Sequence, residues 1–213
     1  MSSDLLALLR RDPVVLADVA TRLEALTHGE RLAWIRGLPG GILGRLFDAA
    51  AGNPITAEDL VPAAVPDGVT VRHLGINSLP LFRLVEKPMY RGEDGEIYGN
   101  NVQAWQWLTG PGYFKVGPDR APSAEGATAT LAFDYTRLPG TPPTGWPRVM
   151  SNRRGFSYLV FRDLFDVMRR VSDHVTIGHA YRGDHSLGQY FALVREPYQV
   201  SSPNPTQRAE TKR

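Results

Sequence analysis

The sequence predicts a mainly β protein: an antiparallel meander of about eight short strands that curls into a barrel, preceded by an α-helical N-terminal extension. Three observations carry this expectation. Over the first sixty or so residues the apolar side chains recur three or four apart, the helical period. After Pro66-Asp67-Gly68 the period drops to two. From there strand-like runs mostly follow one another across turns, with a single late helix, an order that makes no βαβ units for a parallel sheet. The 213 residues therefore divide into a helical segment over 1–66, an antiparallel β-barrel domain over 67–197 and a polar tail over 198–213, expected to be disordered.

Within the helical segment, Asp12-Pro13 reads as a start signal, with Asp as cap and proline in the first turn. Leu16, Val19, Leu23 and Leu26 then form one stripe. Thr27, with Glu30 three residues on, has the spacing of a capping box for a helix carrying Leu32, Trp34 and Ile35. Gly37 and Pro39 stop that helix, and Ile42, Leu43, Leu46 and Phe47 begin another stripe. Thr56 and Asp59 suggest a further short helix, ended by Pro62 and Pro66. One-sided stripes must be buried, here by packing on the main domain, by covering a pocket as a lid, or by pairing with a second chain.

Val69, Val71 and His73 alternate with polar neighbours, as a half-buried strand does. Residues 79–91 form a longer run, broken by Pro80 and Pro88, which suit an edge or a bulge. The turn Gly92-Glu93-Asp94-Gly95 makes a hairpin with residues 96–107. Gly110-Pro111-Gly112 turns the chain again before residues 113–116. The cleanest alternation is at 127–136, where Ala129, Leu131, Phe133 and Tyr135 oppose Thr128, Thr130, Ala132, Asp134 and Thr136. Residues 156–161 read as a strand, Asp163 as the cap of a helix presenting Leu164, Phe165, Met168 and Val171, and residues 174–182 and 189–196 as the last two strands.

Composition narrows the function. With no cysteine, disulfides, thiolate nucleophiles and cysteine-bound zinc are excluded, and a cytoplasmic location is the default expectation. The net charge of +2 is nearly balanced and the basic residues form no stripe, so nucleic acid is not an expected partner. No apolar run reaches membrane-spanning length, and the first ten residues do not read as a signal peptide. The signatures G-x-S-x-G, G-x-x-x-x-G-K, H-E-x-x-H and post-strand G-x-G-x-x-G are all missing.

The segment 156–161, the following D-L-F-D-V-M-R, and the terminal D-H-V-T-I-G-H-A and Y-F-A-L-V-R-E resemble bacterial lipocalin-like (calycin) barrel proteins, in particular the GXWXG-type group. The likeness covers about residues 69–196 and extends to Trp105-Gln106-Trp107…Gly110-Pro111-Gly112-Tyr113-Phe114. That segment departs from the G-x-W-x-G spacing and lies in mid-chain. The resemblance implies a helix before the last two strands and a pocket for a small apolar or amphipathic molecule.

Trp105, Trp107, Phe133, Tyr135, His179 and Phe191 are the candidate pocket wall, with Arg153 at a barrel mouth to hold an acidic head group. The two tryptophans serve equally well as core, and Arg153 as a solvated or ion-paired loop residue. His174 and His179 stand five apart and so on opposite strand faces, which argues against a shared metal. His179 shares a face with Val175, Ile177 and Tyr181. If that face is the interior, His179 contacts the ligand or binds haem as in nitrobindin-like barrels; otherwise it is a core histidine satisfied by a carbonyl or by Tyr181. No other cofactor is expected. An isomerase, cyclase or lyase in the same cavity, using His179, Tyr135 or Lys115 as acid or base, is the alternative to simple binding. A homodimer is the one macromolecular partner that the sequence leaves open.

Overall fold

The computed structural model describes residues 2–81, 83–102, 110–118, 131–152 and 161–198. Five helices come first: α1 (Ser2–Arg10), α2 (Leu16–Glu24), α3 (His28–Gly37), α4 (Gly40–Ala49) and α5 (Ala57–Leu60). Nine strands follow: β1 (His73–Asn77), β2 (Leu84–Glu86), β3 (Met89–Arg91), β4 (Ile97–Gly99), β5 (Phe114–Pro118), β6 (Leu131–Asp134), β7 (Leu164–Ser172), β8 (Val175–Arg182) and β9 (His185–Arg195). They form one antiparallel sheet in the order β2-β1-β9-β8-β7-β6-β5-β4-β3. The sheet curls into a half-barrel. Its two edge strands, β2 and β3, are successive pieces of one run, so the edges come together through single bridges, Val71 to Met89 and Glu86 to Val102. An edge joined in this way offers little free backbone to another chain.

Local chemistry explains the helix ends. Thr27 and Glu30 form the expected capping box, and Thr56 with Asp59 forms a second at the start of α5. Each box satisfies amide groups that have no partner within the helix. At Asp12-Pro13 the expectation fails. That peptide is cis and α2 begins later, with Val15 as its N-cap and no side-chain hydrogen bond there. The hairpin at Gly92–Gly95 is present, with Gly95 at a φ of 76° that suits glycine.

The expected helix after Asp163 is instead β7. Asp163 sits at a φ of 50° in the turn that precedes it. Nearly every residue of β7 is buried, because both faces of the strand are covered. Two-sided burial erases the alternation that marks a strand, and Leu164, Phe165, Met168 and Val171 happen to fall at helical spacing.

Two apolar cores result, one on each side of the sheet. The first lies between the helices and the outer face of the sheet: Leu9, Leu23, Ile35, Leu46 and Phe47 meet Val167, Val171, Val175, Ile177, Tyr181 and Val194. Arg169 bridges it, its guanidinium 3.8 Å from the Phe47 ring centroid and donating 2.8 Å to the Phe47 carbonyl. The second core fills the inside of the curl with Phe114, Phe133, Tyr135, Phe161, Met168, Phe191 and Leu193. Ile55, Leu60, Val61 and Val65, on and around α5, close one end of it. Arg91 and Arg195 tie this cap down by donating to the carbonyls of Val61, Val65, Glu58 and Asp59. Among the described residues, no helix is long and apolar enough to cross a membrane.

The helices are thus part of the folded unit. Phe47→Ala opens a cavity where α4 meets β8 and β9, and should cost about 3–5 kcal/mol in denaturant unfolding. Thr27→Ala, which removes one exposed cap, should cost about 1 kcal/mol. Equal losses from the two substitutions would mean that the helical layer does not share the sheet's stability.

Candidate functional site

Among the described residues, the inside of the curl holds one lysine. Lys87 occupies the step between β2 and β3, where Pro88 interrupts the strand. Its parity with Val85 turns its side chain inward, and only 5% of that side chain is exposed. The ammonium lies 4.6 Å from the ring centroid of Phe191, 5.4 Å from those of Phe114 and Tyr135, and 5.7 Å from that of Phe133. Rings at these distances attract a cation through their quadrupoles but supply no hydrogen-bond acceptor of their own plane.

Three polar groups supply the acceptors. Lys87 Nζ donates 2.6 Å to Tyr135 Oη, 3.3 Å to Asp166 Oδ2, and also to Asn101 Oδ1. Tyr135 in turn donates 2.8 Å to Asp166 Oδ2 and accepts from Asn101 Nδ2 at 3.1 Å. Distant parts of the chain place these groups: Asn101 follows β4, Tyr135 follows β6, and Asp166 is in β7. Asn152 holds the Tyr135 main chain, its amide donating 2.8 Å to both the Tyr113 and Tyr135 carbonyls. Burial holds the Lys87 pKa below the ordinary lysine value, while Asp166 pulls it the other way. Burial, together with the Asp166 charge, raises the Tyr135 hydroxyl well above the usual tyrosine pKa.

Two glycines make room for this arrangement. A Cβ on Gly178 would lie 2.2 Å from Phe191 and 2.7 Å from Met168, so the ring packs directly on the β8 backbone. Gly112, at a φ of 55°, brings the chain against Phe161 and the Asn101 amide, where a Cβ would meet them at 2.5 and 3.1 Å.

Of the residues expected to form a pocket, Phe133, Tyr135 and Phe191 meet inside the curl. Phe133 stacks on Phe114 at 4.5 Å and faces Phe191 at 6.4 Å. Trp105, Trp107 and Arg153 lie outside the described residues. His179 does not join the set. Its strand face, shared with Val175, Ile177 and Tyr181, is the outer one beneath the helices. Its ring stacks on Tyr190 at 4.2 Å and meets Phe47 edge-on at 5.1 Å, and its Nε2 shares a 2.8 Å hydrogen bond with Ser186 Oγ. That placement, a layer away from Phe133 and Phe191, leaves haem ligation from the interior without its ligand. Lys115 also points away from the curl, pairing with Glu96 at 3.1 Å.

In the sequence Lys87 is a charge inside an apolar run, flanked by Glu86 and Pro88, and its parity with Val85 is the local sign that it faces inward. Asp166 was hidden by the helical reading of β7. On the helical side of the sheet lies an open groove of about 490 Å³, lined by Thr21, Glu24, Asn53, Arg170, Ser172 and Asp173. Its arginine is already held by Asp59 and Asp173.

His73 marks the capped end of the interior. It is wholly buried opposite Arg195, and among the described residues neither ring nitrogen has a well-formed hydrogen bond. Burial, then the Arg195 charge, lowers its pKa to about 4. Comparison with protein-family profiles, curated proteins and solved structures finds no match for this chain.

Two outcomes follow from this geometry. Lys87→Met or Asp166→Asn alone leaves a buried group without its partner and should cost about 3–5 kcal/mol. The double variant Lys87→Met/Asp166→Leu should recover a large part of that loss, and additive losses would show that the pair is not coupled. His73 is neutral in the folded protein, whereas in the unfolded chain it takes up a proton near its ordinary pKa of 6.5. Its contribution is therefore complete above that pH and is lost as pH falls towards 4, about 3 kcal/mol in total. Chemical denaturation across this window should show the slope, and His73→Phe should flatten it.

Proposed function

We propose that this chain is a lipocalin-like protein that takes a small amphipathic molecule into the curl of its sheet. The apolar body of the ligand packs against Phe133 and Phe191, and its polar end meets Lys87, Tyr135, Asp166 and Asn101. The observation that carries this reading is the convergence of those four groups on one point between aromatic rings. A site for a small molecule commonly combines apolar walls with a few converging polar groups. The curled antiparallel sheet is an architecture compatible with such a site. A net-neutral lysine–aspartate pair favours an uncharged polar end on the ligand over a carboxylate, which would compete with Asp166.

The same convergence favours a second reading, an enzyme that moves a proton in this interior. Tyr135 both accepts from Lys87 and donates to Asp166 at hydrogen-bonding distance, as an acid–base relay requires. His179 and Lys115 have no place in that relay.

Binding is tested by titrating the full chain with a lipophilic anilinonaphthalene dye. Saturable one-to-one fluorescence enhancement, competed away by an uncharged amphipathic alcohol, is expected. Phe191→Ala should weaken the complex by about tenfold or more through lost apolar contact. Dye uptake that neither saturates nor responds to competitor would sink the binding reading.

A further inference from the structure

The chain contains three lysines and twenty-one arginines. Lys115 pairs with Glu96 on the outer side of the sheet, and Lys212 belongs to the polar tail. The third, Lys87, lies inside the curl. An arginine there would keep its proton under all ordinary conditions, whereas a lysine can give it up and expose a nucleophilic lone pair. The surroundings of Lys87 favour that change. Four aromatic rings exclude water from the ammonium, Asp166 Oδ2 stands ready to accept a proton, and Tyr135 Oη lies 2.6 Å from Nζ.

From this placement we infer that Lys87 captures an apolar aldehyde or ketone as an imine. The inference rests on the binding reading above and names its ligand class. In the first step the Lys87 ammonium hands one proton to Asp166, which frees the Nζ lone pair to attack the carbonyl carbon as the C=O π bond breaks. A second Nζ proton then passes through Tyr135 Oη to the carbonyl oxygen, giving the hydroxyl of a carbinolamine. In the second step Tyr135 delivers a proton to that hydroxyl, which leaves as water while the nitrogen lone pair forms the C=N bond. Asp166, 2.8 Å away, returns a proton to Tyr135. One ammonium and one carbonyl give one protonated imine and one water, with Asp166 again a carboxylate and no oxidant or reductant involved. Asn101, which donates to Tyr135 and accepts from Lys87, fixes the orientation of both. A lowered lysine pKa raises the fraction of free amine, the form that reacts.

The test uses the full chain, trans-cinnamaldehyde as the carbonyl probe and cinnamyl alcohol as its non-carbonyl counterpart. The alcohol reports on binding alone, by displacing the lipophilic dye. The aldehyde is incubated with the protein, borohydride is added to reduce any imine to a stable secondary amine, and the adduct is located by mass spectrometry of the whole chain and its peptides. The expected result is one reduced adduct per chain, at Lys87, with Lys115, Lys212 and the N-terminal amine unmodified. Tyr135→Phe should slow adduct formation by on the order of a hundredfold, the scale of a lost proton donor. Lys87→Met should form no adduct; should that variant fail to fold, mapping of the unaltered chain still decides. If the alcohol displaces the dye but the aldehyde labels only surface amines, or labels Lys87 only after unfolding, the imine proposal is overturned and binding stands. If neither compound displaces the dye or labels Lys87, the binding reading falls and takes this proposal with it.

Discussion

A lysine ammonium with 5% of its side chain exposed constrains everything around it. Taking such a charge out of water costs several kcal/mol unless partners replace its hydration. The partners come from three places along the chain: Asn101 beyond β4, Tyr135 beyond β6 and Asp166 in β7. Lys87 itself sits at the step between β2 and β3, the run that belongs to both edges of the sheet. The hydrogen bonds around Nζ therefore link one edge to the middle of the sheet across the inside of the curl. Where two edge strands meet only through single bridges, such a cross-tie helps to decide how tightly the sheet curls.

The same constraint sorts the side chains of each strand. Along β7, Asp166 and Met168 turn inward while Phe165, Val167, Arg169 and Val171 meet the helices. Along β9, Phe191 and Leu193 turn inward while Ala192 and Val194 pack outward. Each strand of this half of the sheet is buried on both faces, so the helical layer is structural here. A cover over these strands leaves the other half of the sheet to different means. There Trp146 stacks against Tyr113 and meets Tyr90 edge-on, and its indole donates to Thr70, so that the loop after β6 covers the outer face of β3 to β5.

The interior joins two opposed demands. Aromatic packing makes it apolar and tight, to the point that Gly178 must lack a side chain beneath Phe191. The Lys87 cluster makes one point of it polar and reactive. A buried ammonium needs an acceptor for each of its three N–H groups, and Asp166, Tyr135 and Asn101 supply them. Tyr135 also donates to Asp166 and accepts from Asn101, so one hydroxyl links the three partners. That convergence is what turns a buried pair into a candidate site.

By itself the sequence determined what depends on near neighbours. The capping boxes at Thr27 and Thr56 are legible because they join residues three apart. The Gly92–Gly95 hairpin is legible because a tight turn needs glycine, and the antiparallel meander because most strand-like runs follow one another across short turns. Phe133 and Tyr135 are legible as sharing one face because their strand alternates, whereas Phe191 lies in an apolar run buried on both faces. What the tertiary structure decided were matters of face and distance. Period-two alternation tells which residues share a face, but not which face looks inward, and so His179 fell on the helical side. Two-sided burial removes the alternation altogether, and β7 was read as a helix with Asp166 inside it. The site itself joins residues up to 79 positions apart, and no local pattern records that Lys87 and Asp166 meet. Their pairing exists only because the sheet curls far enough to bring its edge run within hydrogen-bonding reach of its middle.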